Sequence, residues 1–167
     1  MKNISEALNT ALDLEKEGYD VYMSAAKKTG NKFGRATLEA IAKKELDHIK
    51  AIENYSKNID AAISMINPRD KKYYIRPIME AIKSNLDSVP SKDLELEKAY
   101  KIAMGLEQRS YDLYKRLASE AENAQVKKFF EFLMGEENIH FELLQETLEY
   151  LDKTGDWFRE QERWNVD

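Results

Sequence analysis

The chain has 167 residues, 43% hydrophobic and 34% charged, with six Gly, three Pro and no Cys; this fits one globular domain and excludes collagen, disulfide scaffolds and low-complexity disorder. Lys and Arg number 26 against 31 Asp and Glu, a net charge of -5 with the bases dispersed among acids, so a nucleic-acid partner is not expected. Without Cys there is no thiolate metal site, thiol nucleophile or iron–sulfur cluster to consider.

The first helix is predicted over 4–28, where Ile4, Leu8, Ala11, Glu15, Gly18, Tyr22 and Ala26 recur at steps of three and four. Its end is placed near Thr29-Gly30-Asn31, with Gly or Asn in the left-handed conformation that stops a helix. A second helix over 35–57 carries the stripe Leu38, Ile41, Glu45, His48, Ile52 and Tyr55. Residues 58–92 hold Asn67-Pro68, Arg76-Pro77 and a weak helical run from Ile78 to Leu86; a structureless loop of that length is unusual, so a short helix is expected within the crossover. After Pro90, a third helix over 93–120 presents Leu96, Tyr100, Ala103, Glu107, Ser110, Tyr114 and Leu117. The fourth, over 124–152, presents Val126, Phe130, Leu133, Glu137, His140, Leu144, Thr147 and Leu151.

These elements predict an all-α four-helix bundle built from two antiparallel hairpins, 4–57 and 93–152, joined by one long crossover in a single domain over 1–167. The tail from 153 to 167 mixes two Trp and a Phe with charges, a composition that suits either a docked flap or a subunit contact. Neither a secretory signal in MKNISEALNTALDLEKE nor an apolar run long enough to span a membrane is found, so a cytoplasmic protein with no membrane partner is expected.

The hairpins repeat. A shift of 92 residues, without a gap, aligns Leu14-Glu15 with Leu106-Glu107, Tyr19-Asp20 with Tyr111-Asp112, Tyr22 with Tyr114, Glu45 with Glu137 and His48 with His140. Each copy reads L-E-x3-Y-D-x-Y followed by E-x-x-H, and Glu15, Glu45, His48, Glu107, Glu137 and His140 all fall inside apolar stripes. A Glu and a His three apart share one helix face and can reach one metal. Four ionised carboxylates in a common core repel one another, and each unpaired buried ion costs several kcal/mol. Either cations are held there or protons are. Burial and repulsion are expected to raise the pKa of all four carboxyls when no metal is bound. Oxygen-rich ligation with two imidazoles suits iron or manganese, and two divalent ions balance four carboxylates. One Glu from each of two helices and Glu-x-x-His from each of the other two is the inward pattern of di-iron and di-manganese bundles.

In this scheme Glu45 and Glu137 bridge or chelate, His48 and His140 each cap one ion, and Glu15 and Glu107 are terminal. Tyr22 and Tyr114 lie two turns from Glu15 and Glu107 and are placed to hydrogen-bond a ligand carboxylate or to fill core space. Asp20, Asp112, Glu17, Glu39, Glu131 and Glu136 are read as surface charge.

At LEKEGYDVY with KKELDH, and GLEQRSYDLY with GEENIH, the chain resembles the rubrerythrin-related proteins of the ferritin-like superfamily. The resemblance covers both hairpins. It implies a non-haem di-iron centre with two Fe ions per chain and reduction of hydrogen peroxide or oxidation of ferrous iron, with peroxide, dioxygen or ferrous iron as substrate. Typical members add a rubredoxin-like domain with four cysteines; this chain has no Cys, which implies a separate electron-donor protein. They also place a carboxylate one turn before the positions of Glu15 and Glu107, where Leu12 and Met104 stand. The resemblance implies a homodimer if the chemistry is rubrerythrin-like. The alternatives are iron storage in a many-subunit cage, or a metal-free scaffold whose acids only fix register.

Overall fold

The computed structural model describes residues 4–55, 57–65 and 94–152. Among them are five helices and no strand, in the order α1 (Ile4–Lys28), α2 (Lys32–Asn54), α3 (Ile59–Met65), α4 (Leu94–Glu120) and α5 (Ala124–Asp152). The all-α fold is thus as expected. The expected helix at 78–86 and the aromatic tail lie outside the described residues.

Three-residue links turn α1 into α2 and α4 into α5, so each pair packs as an antiparallel hairpin, and the hairpins meet through α1 against α4 and α2 against α5. The first link differs from expectation. Gly30 does not adopt a left-handed φ, and Asn31 is extended at φ -75°, ψ 109°, with its side chain accepting from the Gly34 amide at 2.9 Å. Asn31 therefore starts a helix instead of stopping one, and α2 begins at Lys32, ahead of the expected 35. At the other end, Asn58 Oδ1 accepts from the Ala61 amide at 3.0 Å, so the chain leaves α2 after Asn54 and enters α3, a short helix not anticipated at this place. Asn123 caps α5 in the same way, accepting from the Gln125 and Val126 amides at 2.8 and 3.2 Å.

Two apolar layers fill the bundle. One is built on Tyr22, Phe33, Leu38, Ile41, Leu96, Tyr100 and Leu144; the other, which also buries Ala62 and Ile63 of α3, on Tyr114, Leu117, Phe129, Phe130 and Leu133. Side chains of α4 pack on the α2 backbone at Gly34, where a Cβ would lie 2.5 Å from Leu96 Cδ2 and whose carbonyl accepts from Tyr100 Oη at 3.0 Å. Leu12 and Met104 are half-buried and pack against the apolar layers. They do not displace Glu15 and Glu107 from the inward register.

Candidate metal centre

Inside these layers lie charged side chains. Glu15, Glu45, His48, Glu107, Glu137 and His140 are each no more than 2% exposed. The helical period puts them there: each Glu–His pair occupies one inward face of α2 or α5, and Glu15 and Glu107 face them from α1 and α4.

The six form two overlapping sets. Glu15, Glu45, His48 and Glu137 bring ligand atoms within 4.8 Å of one another, and so do Glu45, Glu107, Glu137 and His140. Glu45 and Glu137 belong to both, as bridging residues must. His48 Nδ1 lies 3.1 Å from Glu15, 3.4 Å from Glu45 and 3.4 Å from Glu137, while His140 Nδ1 lies 3.1 Å from Glu45 and 3.5 Å from Glu107. Both imidazoles thus turn Nδ1 toward the carboxylates, with their rings stacked at 5.4 Å.

The tyrosines cross between hairpins. Tyr22 Oη donates to Glu107 Oε1, and Tyr114 Oη donates to Glu15 Oε1. Burial, then the charge of Glu107 for Tyr22 and of Glu15 for Tyr114, holds each phenol's pKa well above its usual value, so both remain donors.

The carboxyls split into two kinds, against the expectation that all four pKa values rise. Burial pushes Glu45 up to about 8, assisted by the charges of Glu15 and Glu107, and burial together with Glu15 and Glu107 holds Glu137 well above the usual range. Burial acts on Glu15 in the same sense, but His48, Glu45 and Tyr114 outweigh it and take the group down to about 2. Glu107 is lowered likewise, burial being overcome by His140, Glu137 and Tyr22. Burial opposes charge on both histidines, yet Glu15, Glu136 and Glu137 hold His48 well above its usual value, and Glu107 and Glu45 lift His140 to about 9. The shifts thus favour charge on Glu15, Glu107 and the two imidazoles, and the neutral form of Glu45 and Glu137.

The donor set fits a pair of divalent cations. Buried Glu107 Oε2 makes no hydrogen bond to the protein, and a cation at the site would satisfy it. Oxygen donors with two imidazoles match the preferences of iron and manganese.

Asp20, Asp112, Glu17, Glu39 and Glu131 are exposed, as expected. Glu136 is not surface charge. It is 1% exposed, its Oε2 lies 3.8 Å from His48 Nε2, and with His48 and His140 it forms a third buried group of potential donors. The physical reason is the width of the buried face of α5, where the adjacent pairs Phe129-Phe130, Glu136-Glu137 and Leu143-Leu144 recur every seven residues and are all buried. That doublet heptad was the signal available in the sequence.

Residues 6–148 match the model of the Rubrerythrin family. Symerythrin from Cyanophora paradoxa is 26% identical over 153 residues, spanning 86% of this chain and 82% of its own. No solved structure gives a significant match. The chain belongs to the rubrerythrin family.

Proposed function

We propose that the protein is a non-haem di-iron oxidoreductase that reduces hydrogen peroxide or oxidises ferrous iron, with two iron ions per chain and manganese as the other metal its donors suit. The observation that carries this reading is the pair of buried four-residue sets sharing Glu45 and Glu137. Glu45 and Glu137 would hold both ions, Glu15 and His48 one, and Glu107 and His140 the other. Two ferrous ions bound there supply the two electrons that, with two protons, convert one hydrogen peroxide to two water molecules.

The chain's own part is positional and electrostatic. Tyr22 and Tyr114 orient the carboxylates of the opposite hairpin through their hydroxyls. The apolar layers on either side exclude bulk water, so charge interactions within the site act in a low-dielectric setting. The chain contains no Cys, so sustained peroxide turnover would draw electrons from a separate donor protein. No helix among the described residues is long and apolar enough to cross a membrane; a cytoplasmic homodimer is the working form in this reading.

Protein expressed in iron-replete medium should carry close to two iron or manganese ions per chain, and one or none would end the di-metal assignment. Stopped-flow oxidation of the diferrous protein should be faster with one equivalent of peroxide than with air. A faster reaction with dioxygen would select ferrous-iron oxidation, and a native mass far above that of a dimer would point to a storage cage.

A further inference from the structure

The six ligand positions repeat at 92 residues, but the position beside the second Glu does not: Lys44 precedes Glu45, whereas Glu136 precedes Glu137. Both are buried, at 9% and 1% exposure. Carboxylate and ammonium differ in kind, because only the carboxylate can accept a hydrogen bond.

His48 turns Nδ1 toward Glu15, Glu45 and Glu137. Its other nitrogen, Nε2, is buried, has no hydrogen bond and faces Glu136 Oε2 at 3.8 Å. That separation is within ion-pair range and longer than a formed hydrogen bond. A metal-ligating imidazole commonly donates its remote N–H to a carboxylate, which fixes the tautomer and makes the ligating nitrogen more basic.

We propose that Glu136, which lies beside both imidazoles, is a positioning residue that accepts the Nε2–H of His48 and fixes Nδ1 as its metal-facing nitrogen. The inference rests on the two-metal reading above, and it concerns a residue outside the six ligands.

The test is calorimetric titration of metal-stripped protein with Co(II), alongside Glu136→Leu and Glu136→Gln. The wild type should take up two ions. In Glu136→Leu uptake should weaken by about 10- to 100-fold, the usual effect of losing such a partner. Gln, which retains an acceptor oxygen, should recover part of the loss. The effect should vanish in a His48→Ala background, where there is no imidazole to orient.

Uptake of no Co(II) by the wild type would defeat the two-metal reading itself. Given two ions in the wild type, unchanged affinities in Glu136→Leu, or persistence of the effect without His48, would each overturn the role of Glu136. So would a wild-type stoichiometry of three falling to two in Glu136→Leu, which would make Glu136 a ligand of a third ion. Far-ultraviolet circular dichroism of each variant separates these outcomes from unfolding, and partial rescue by Gln does so independently.

Discussion

Hairpin one and hairpin two each present the same three donor residues, two Glu and one His, but surround them differently. Thr37 of α2 and Tyr55 at its C-terminal cap correspond, at the 92-residue offset, to Phe129 and Thr147 of α5. Antiparallel packing brings the unlike residues together by type. Tyr55 meets Phe129 with ring centroids 4.9 Å apart at one end of the bundle, and the Thr37 and Thr147 hydroxyls lie 3.4 Å apart at the other. One end is therefore closed by aromatic rings, and the other carries a buried hydroxyl pair near Tyr100. The donor residues are duplicated, as a pair of like ions would require, whereas their surroundings diverge. Lys44 against Glu136, each buried and each beside a Glu of the cluster, is one such divergence.

The sharpest break of the symmetry should come at the shared carboxylates. Glu45→Ala or Glu137→Ala should remove both ions, because each belongs to both four-residue sets. Glu15→Ala or Glu107→Ala should remove or weaken chiefly one, because each belongs to a single set. Glu17→Ala, at an exposed surface pair with Arg109, should leave metal content unchanged. Plasma emission analysis reads all five variants; equal loss from Glu17→Ala and Glu45→Ala would show the face assignment to be wrong.

Proton balance gives the next largest effect and treats the halves as a pair. Near pH 7 the metal-stripped site favours protons on Glu45 and His140, raised to about 8 and about 9, with Glu137 and His48 shifted in the same sense, and ligation requires these protons to leave. Titrations in buffers of different ionisation enthalpy should therefore show net proton release on metal uptake, from carboxyls as well as imidazoles. Release near zero would contradict a protonated core.

The same shifts set the stability of stripped protein. Glu45, raised from 4.5 to about 8, contributes stability that is full below 4.5 and lost as pH rises through 8. His140, raised from 6.5 to about 9, contributes stability lost between those values. Glu15, lowered from 4.5 to about 2, works in the opposite sense, its contribution being present above 4.5 and lost as pH falls toward 2. The melting temperature of stripped protein should peak at mildly acidic pH and fall toward pH 9. Metal should raise it most at the upper end, because the ion binds the deprotonated ligands.

The crossed tyrosines test how far the halves remain alike. Tyr22→Phe and Tyr114→Phe each remove a hydroxyl donor to an anionic carboxylate, a hydrogen bond to a charged group worth about 1.5–3 kcal/mol. Chemical denaturation of stripped protein should give similar losses for the two variants. A marked difference would show that the unlike ends reach into the donor layer.

Much of this was legible in the sequence because helical periodicity and the repeat are local signals. Glu15, Glu45, His48, Glu107, Glu137 and His140 stand where an apolar residue would serve for packing alone, and a polar residue within an apolar stripe points at chemistry. Glu136 was missed because a single stripe was taken as the whole buried face, whereas α5 is buried on two adjacent rows. The opposite shifts of Glu15 and Glu107 were missed for another reason. They depend on Tyr114 and Tyr22 reaching across from the other hairpin, and a contact between residues 99 or 85 apart has no local signature. The role of Asn31 was misjudged because the same residue serves helix starts and helix stops, and only the backbone angles separate the two.

The smallest expected effect concerns two glycines that differ only in their neighbours. Helix interiors favour Ala over Gly by roughly 0.5–1 kcal/mol through backbone entropy, so propensity alone predicts that Gly34→Ala and Gly105→Ala both stabilise. Gly105 is exposed on α4, and an added Cβ meets nothing within 4 Å. It should gain the full increment. At Gly34 the Cβ would stand 2.5 Å from Leu96 Cδ2 and 3.3 Å from Cδ1, and the Tyr100 hydroxyl is tied to the same residue's carbonyl, which limits how far α4 can withdraw. Overpacking of this kind costs about 1–3 kcal/mol and should exceed the propensity gain, giving net destabilisation. Opposite signs for the two variants in urea unfolding would show that the Leu96 side chain is held against the Gly34 backbone, while stabilisation in both would mean that Leu96 simply moves aside.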